Sequence, residues 1–245
     1  MDCKVFEKEL NYIVTEEIRN LALTGLENLP NYFYSMPAST TGKYHPSYAL
    51  GDGGLVRHTK AAALFAHYIC ELEQTKNDFT QEERDCMIAG LLLHDGWKEG
   101  NGGSSFTVHE HPQICADWIR TSDIFSDYDN KYREMISSVI ESHMGEWNEN
   151  KRSSVILKKP KTSMQKLVHL CDYLASRKNI EIIFDGSEAA EKPDINTYIF
   201  PFKKHKGKLL VDVAKEDPDY LRWCYNNLTM KEPLKGFIKD LLENK

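Results

Sequence analysis

The sequence predicts an all-α helical bundle followed by a small α+β appendage, and two observations support this prediction. Apolar residues recur at helical spacing from Val5 to about residue 184, with capping signals where several of the runs begin. Beyond that point a polar stretch precedes YIFPF, a basic turn KKHKGK and LLVDV, which together predict a short strand-turn element. We therefore predict two domains, residues 1–186 and 198–245, joined by a linker over 186–197.

The helices of the first domain are marked by periodicity and by capping signals. Thr80 with Glu83 and Thr162 with Gln165 form two capping boxes, in which side chains satisfy the free N–H groups of a helix start. Pro112 suits the first turn of a further helix, because the N–H that it lacks has no partner there. The predicted helices, with a loop over 30–54, are 5–26, 55–74, 80–94, 112–119, 129–144 and 162–184.

The appendage shows both kinds of secondary-structure signal. The strand-turn element is expected between the linker and Asp217. Asp217, followed directly by Pro218, predicts the start of a helix that runs to about Asn227. Pro233 predicts the start of a last short helix, so the appendage is expected to combine strands with helices.

Composition limits the possible functions. The 245 residues carry a net charge of −6, which argues against a protein that coats nucleic acid by bulk positive charge. The six cysteines include no C-x-x-C pair, so a zinc ribbon or a thioredoxin-like motif is not expected. The first residues are too charged for a signal peptide, and no apolar run is long enough for a membrane span. We expect a cytoplasmic protein without membrane contact.

Histidine and aspartate recur at helix ends and on apolar helices. His94 and Asp95 follow the apolar run CMIAGLLL and would point into whatever cavity lies at its end. Asp172 lies within an apolar helix, where periodicity alone leaves open whether its carboxylate binds a cation or faces solvent. Imidazole and carboxylate ligands suit Mn, Fe, Ni, Zn or Co and are not what calcium prefers.

The order of these residues along the chain resembles that of the HD superfamily of metal-dependent phosphohydrolases. The strings that carry the resemblance are GGLVRHT, AGLLLHDGWK, HEHP, IESHMGEW and KLVHLCDYLASRK, and they cover about residues 50–184. They are most similar to the HD domain of Gram-positive 3′–5′ exoribonucleases and of its bacterial and phage relatives. The resemblance implies a helical bundle whose metal ligands converge on one cavity.

The same resemblance implies a set of six metal ligands. Four residues match the core ligands of the family and two match the extra histidines of its two-metal members: His58, His94, Asp95 and Asp172, then His111 and His143. We therefore expect two divalent metal ions, drawn from Mn, Fe, Ni, Mg and Co, with Asp95 bridging them and a shared water activated as hydroxide. His109 is the alternative ligand to His111, which is favoured because it directly precedes Pro112.

Three cationic residues and one histidine are candidates for contact with the substrate. Lys98, shortly after the His-Asp pair, is predicted to bind a phosphate and assist catalysis, the alternative being a surface lysine. Arg57 and Arg177 are predicted to bind the substrate, or else to face solvent or the end of a helix. His109 is a candidate to protonate the leaving oxygen, with an ordinary loop histidine as the alternative.

Two features favour a nucleotide or nucleic acid as the phosphate-ester substrate. Residues 151–166, expected at the mouth of the site, and 203–208 are basic stretches in an acidic protein, although solvated lysines would look the same. The string PFKKHKGKLLVDVAKEDPDYLRW, about residues 199–228, resembles a module appended to some exodeoxyribonuclease X-like proteins. The sequence thus predicts a phosphodiesterase acting on nucleic acid, oligonucleotides or cyclic nucleotides. A nucleotide phosphatase, a di-iron oxygenase and a non-catalytic binding module are the alternatives.

Overall fold

A computed structural model gives the fold, in which the chain divides into two compact units, Met1–Glu188 and Ala189–Lys245. The structure describes residues 3–39, 42, 45–100, 107–183, 195–196, 198–228, 230 and 234–243. Most of the predicted linker, 186–197, lies outside these residues, so the predicted domain bounds stay a prediction. Each unit is described by itself.

The first unit is built from α-helices with short 3-10 turns between them. Its helices are α1 Glu7–Leu10, α2 Glu16–Asn28, α3 Gly54–Glu71, α4 Gln81–Leu93, α5 His111–Thr121, α6 Asn130–Ile140 and α7 Ser163–Ala175. Both predicted capping boxes are present: Thr80 opens α4 with Glu83, and Thr162 opens α7 with Gln165. The predicted all-α class is confirmed, since the residues described contain helices and no strand.

Helix α4 is the centre of the first unit. It packs against α2, α3, α6 and α7, and every residue from Asp85 to Leu93 is buried. Because a helix that is apolar on nearly all sides is stable only inside a core, the run MIAGLLL determines this position. Whatever follows Leu93 therefore emerges in the interior of the unit.

The single helix predicted over 5–26 is wrong, because the chain breaks between α1 and α2. The backbone N–H groups of Val14 and Thr15 donate to the carboxylate of Asp85 on α4, over 3.2 and 2.7 Å. Asp85 is fully buried, and these bonds compensate its charge. A tertiary contact thus overrides the helical periodicity of the segment.

Two further helices end earlier than predicted. Helix α6 stops at Ile140, and a turn leads to Gly145, whose φ of +59° a side chain would disfavour. Helix α7 stops at Ala175, whereas its predicted end, Phe184, lies outside the described residues. The side chain of Arg177 folds back there and donates to the carbonyl of Tyr173, which satisfies an acceptor of the helix end.

The second unit contains α8 Leu210–Glu216, α9 Pro218–Asn227 and α10 Leu234–Glu243. The predicted strand-turn element is wrong in its second half, since LLVDV starts α8 and only one isolated antiparallel bridge joins Ile199 to Leu209. Leu210, Val213 and Ala214 fall on one face and pack into the apolar core of the unit. Asp217 caps α9 as predicted, while Pro233 lies outside the described residues.

Candidate metal centre

Six side chains from separate segments meet inside the first unit. They come from the second turn of α3, the first turn of α5, the residues just past α4 and α6, and the body of α7: His58, His111, His94 with Asp95, His143, and Asp172. Five of them are buried, and the side chain of Asp172 is 20% exposed. These are the six ligands that the family resemblance implies.

One oxygen of Asp95 faces a first group of ligands. Asp95 Oδ2 lies 3.8 Å from His58 Nε2 and 3.6 Å from His94 Nε2. Asp172 closes this group, because its Oδ1 lies 3.0 Å from His58 Nε2 and 3.5 Å from His94 Nε2. Asp172, for which periodicity left two readings open, therefore points into the cluster.

The other oxygen of Asp95 faces a second group. Asp95 Oδ1 lies 3.0 Å from His111 Nε2 and 3.8 Å from His143 Nε2. The two imidazoles are themselves in contact, with 3.3 Å between their Nε2 atoms. Asp95 thus stands between two sets of donors, one on each carboxylate oxygen.

Three of the histidines are oriented by the backbone of the preceding turn. Nδ1 of His94, His111 and His143 lies 2.6, 2.7 and 2.8 Å from the carbonyl oxygen three residues earlier. When Nδ1–H donates a hydrogen bond to this carbonyl, Nε2 is left as the free acceptor. Metal-binding histidines are commonly oriented in this way. The fourth, His58, has a buried Nδ1 for which the described residues provide no hydrogen-bond partner.

Charges in the cluster oppose the cost of burial. Burial would raise the pKa of Asp95, but the Lys98 ammonium and His94 hold it well below its usual range. Burial also opposes ionisation of Asp172, whose pKa His58 and His94 keep well below its usual range. The pKa of His94 is raised by these two carboxylates although burial alone would lower it. The cationic and imidazole groups around Asp95 and Asp172 thus favour the ionised form of both carboxylates.

The donor set fits divalent transition-metal ions. Three overlapping groups, each with ligand atoms within 4.8 Å of one another, are His58-His94-Asp95, His94-His143-Asp172 and Asp95-His111-His143. His94 Nε2 is fully buried and makes no hydrogen bond within the described residues, so one strong acceptor is left without a partner. A cation would satisfy this nitrogen and compensate both carboxylates.

The four predicted substrate residues have different positions. Lys98 is buried with its ammonium on Asp95 Oδ2, and both Lys98 and Arg177 line the cavity that holds the cluster. Arg57 is not brought to this cavity: its guanidinium donates to the carbonyls of Tyr48 and Leu50 and so fixes a loop. His109 is likewise not among the lining residues, whereas His111 is.

The cavity, of about 520 Å³, also exposes residues that sequence reasoning missed. His45 lines it, with its ring centroid 5.6 Å from that of His58, and burial lowers the pKa of His45 to about 4. Its signal in the sequence is the pair His45-Pro46, which repeats the His-Pro pair of His111. Trp147 also lines the cavity and has no such signal, because only the fold brings it to the rim.

His169 holds the backbone at His143. Its Nδ1 lies 2.7 Å from the carbonyl oxygen of His143 and its Nε2 3.0 Å from Glu146 Oε2. Gly145 makes this contact possible, since a Cβ there would lie 2.1 Å from the His169 ring. His169 therefore acts on the ligand through the main chain.

Each basic stretch makes ion pairs within its own unit. Lys158 pairs with Glu141 over 2.9 Å, and residues 151–166 are absent from the lining of the cavity, contrary to the expectation that they lie at its mouth. In the second unit Lys204 pairs with Asp217 over 2.6 Å. No described helix has both the length and the apolar character needed to cross a membrane.

Comparison with known proteins finds a match to a different family model in each unit. Residues 55–177 match the HD domain, and residues 200–229 match the exodeoxyribonuclease X-like C-terminal region. Exodeoxyribonuclease 10 of Escherichia coli strains K12 and O6:H1 is 46% identical over 54 residues, which are 22% of this chain and 24% of the relative. The chain therefore spans about a quarter of the length of these curated relatives. No solved structure matches significantly.

Proposed function

Because this chain belongs to the HD domain family, we propose that it is a divalent-metal-dependent phosphohydrolase that cleaves phosphodiesters in oligonucleotides or nucleic acid. The HD match and the similarity to an exodeoxyribonuclease both support a metal-dependent hydrolase. The observation that carries the proposal is the two-sided position of Asp95, with donors at each carboxylate oxygen. We infer a site for two ions that share this carboxylate.

The ligands divide between the two positions by their distances. His58, His94 and Asp172 would hold one ion with Asp95 Oδ2, and His111 and His143 would hold the other with Asp95 Oδ1. Two such ions supply activation of water near neutral pH and neutralisation of charge on phosphate oxygens. Binding and orientation of the substrate would depend on side chains of the protein.

Two cationic side chains are placed to bind the phosphate. Lys98 lines the cavity next to Asp95 and would stabilise negative charge that develops on the phosphoryl oxygens. Arg177 lines the same cavity and would hold a neighbouring phosphate.

The substrate class rests on the second unit. Its match is to the C-terminal region of exodeoxyribonuclease X-like proteins, and the curated relatives are named as exodeoxyribonucleases. The aligned part covers only 24% of those relatives, so this similarity supports nucleic acid as a substrate without assigning their activity. Cyclic dinucleotides contain phosphodiesters and nucleoside monophosphates contain phosphomonoesters, so both belong in the test.

The test assays a panel of substrates with purified protein whose metal content has been measured. Purified full-length chain is assayed with Mn²⁺ on oligonucleotides, cyclic dinucleotides, nucleoside triphosphates and nucleoside monophosphates, beside Asp95→Ala. We expect hydrolysis of oligonucleotides that Asp95→Ala abolishes. Activity that survives Asp95→Ala would overturn the proposed site, and preference for mononucleotides would indicate a nucleotide phosphatase. Two bound irons without phosphohydrolase activity would indicate an oxygenase.

A further inference from the structure

We propose that Trp147, backed by Tyr173 and Arg177 at the rim of the metal-site cavity, is a stacking subsite for a nucleobase of the substrate. This inference rests on the proposed function and deepens it, because it assigns to the cavity a part that recognises the base. It is carried by the position, exposure and packing of three side chains.

Trp147 combines a large apolar surface with exposure to solvent. Its side chain lines the same cavity as Asp95 and Asp172, yet the residue is 45% exposed. A half-exposed indole beside a deep polar site leaves apolar area that a flat ligand would cover. The sequence gives no packing reason for this exposure.

The neighbours of Trp147 hold it in a defined orientation. Tyr173 lies parallel to the indole, at an interplanar angle of 8° with 5.7 Å between ring centroids. The guanidinium of Arg177 lies 4.0 Å from the ring centroid of Tyr173 and 5.9 Å from that of Trp147. Its Nε donates to the Tyr173 carbonyl over 3.1 Å and its Nη2 to Ser176 Oγ over 2.8 Å.

This arrangement reduces the entropic cost of binding. When a planar group stacks on an aromatic ring that is already ordered, less conformational entropy is lost than when the ring must first become ordered. An Arg guanidinium over an aromatic face also keeps positive charge beside the ring, where a phosphate linked to the base would lie. The rim thus offers both stacking and charge.

The cavity has two chemical parts that match the two parts of a nucleotide. The His-Asp cluster and Lys98 are the more buried part of the lining, whereas Met144 and Trp147 are its more exposed part. Its volume of about 520 Å³ is in the range of small-molecule sites. A phosphate at the more buried part and a base at the more exposed part would use both surfaces. Stacking tolerates all bases because each has a π-face, so we expect little preference among them.

The test compares substrates with and without a base in matched variants. Full-length wild type, Trp147→Ala and Trp147→Phe are assayed on a dinucleotide and on its abasic analogue. We expect Trp147→Ala to lower kcat/KM on the dinucleotide by about tenfold to a hundredfold, the usual range for loss of one stacked base. The abasic analogue should be cleaved equally by all three, and Trp147→Phe should recover most of the loss.

Tyr68→Ala is the matched control, because Tyr68 is an exposed aromatic of the first unit that does not line the cavity. It should leave kcat/KM on both substrates unchanged. An equal loss on both substrates in Trp147→Ala would show a structural role, and no loss on either would exclude stacking. Both results overturn the proposal.

A binding experiment separates this inference from the proposed function. Adenosine 5′-monophosphate and ribose 5-phosphate are titrated against tryptophan fluorescence of wild type, Trp147→Phe and Trp223→Phe, without any need for hydrolysis. We expect saturable quenching by the nucleotide alone, which Trp147→Phe removes and Trp223→Phe keeps. Equal effects of both ligands, or quenching that persists in Trp147→Phe, would overturn the stacking subsite. Loss of hydrolysis with intact quenching would overturn only the proposed function.

Discussion

The two units of the chain differ in whether their polar residues are buried. Among the described residues, every buried polar or charged side chain lies in the first unit, where five of the six cluster residues are buried. The buried residues of the second unit are all apolar, and its charges pair at the surface, as in Lys204–Asp217 and Lys208–Glu216. Burying polar groups costs free energy unless they are compensated. The buried cluster therefore lowers the free energy of unfolding of the first unit, and a bound cation would offset this cost.

This contrast between the two units indicates which of them binds metal and carries out catalysis. Exposed ion pairs such as those of the second unit contribute little to stability. The cluster of the first unit combines buried imidazoles, two carboxylates and a cavity, which are the requirements of a metal site. We therefore expect substitutions in the first unit to alter metal binding and catalysis, and substitutions in the second to alter local stability.

The largest effect is expected from removing a ligand on α3. His58→Ala should lower hydrolysis by about a thousandfold or more and reduce the bound metal, because one ligand of the first group is lost. The matched control is His67→Ala on the same helix, which loses ring contacts with Tyr12 at 4.1 Å and with Tyr68 at 5.7 Å. Metal analysis and initial rates measure both. Equal loss in the two variants would contradict a metal role for His58.

A smaller effect is expected from removing a cation next to the cluster. Lys98→Met should lower kcat by about a hundredfold, since one charge that stabilises the transition state is lost. The same change should tighten metal binding, because the ammonium of Lys98 contacts Asp95 Oδ2, one of the oxygens proposed to bind an ion. Titration calorimetry and kinetics separate the two effects. A lower metal affinity in Lys98→Met would contradict this placement.

Metal affinity should also depend on pH. Asp95 and Asp172 keep depressed pKa values and burial lowers the pKa of His143 to about 3, so these ligands are already deprotonated at neutral pH. The two carboxylates raise the pKa of His94, so a proton on this imidazole competes with the metal as the pH falls. As pH falls through the His94 pKa, affinity should decrease by about tenfold per pH unit for one released proton. Calorimetry in two buffers of different ionisation enthalpy counts that proton, and a count of zero would refute this.

The smallest effect is expected in the second unit. Asp217→Ala removes the cap of α9 and should lower the free energy of unfolding of that unit by about 1 kcal/mol. Metal content and hydrolysis of a small phosphodiester should stay at the wild-type level. Chemical denaturation monitored at Trp223, with Asp219→Ala as a surface control, measures the change. Reduced metal content in Asp217→Ala would break the division between the units.

Local signals predicted the fold well wherever a few neighbouring residues determine it. The caps at Thr80, Thr162 and Asp217 are examples, since a side chain and a nearby N–H suffice to form each. The break before α2 was missed because it depends on Asp85, about seventy residues away. Periodicity likewise misjudged LLVDV, because its i, i+3, i+4 contacts with the second core outweigh the strand preference of valine.

The candidate site shows the same limit. The six cluster residues were predicted from their order in the family, and the fold brings all six together. Arg57 is absent from the cavity lining, and its guanidinium donates to backbone carbonyls, a contact that no sequence pattern indicates. His45 and Trp147 were missed because lining a cavity is a property of the fold and not of a local pattern.

The most direct test of the central claim is anomalous diffraction from crystals of the full-length chain grown with Mn²⁺. The claim is that Asp95 stands between two metal positions, one with His58, His94 and Asp172 and the other with His111 and His143. We predict two anomalous peaks, one beside each carboxylate oxygen of Asp95. A single peak that excludes His111 and His143 would contradict the two-metal site, and no peak at Asp95 would contradict the metal centre itself.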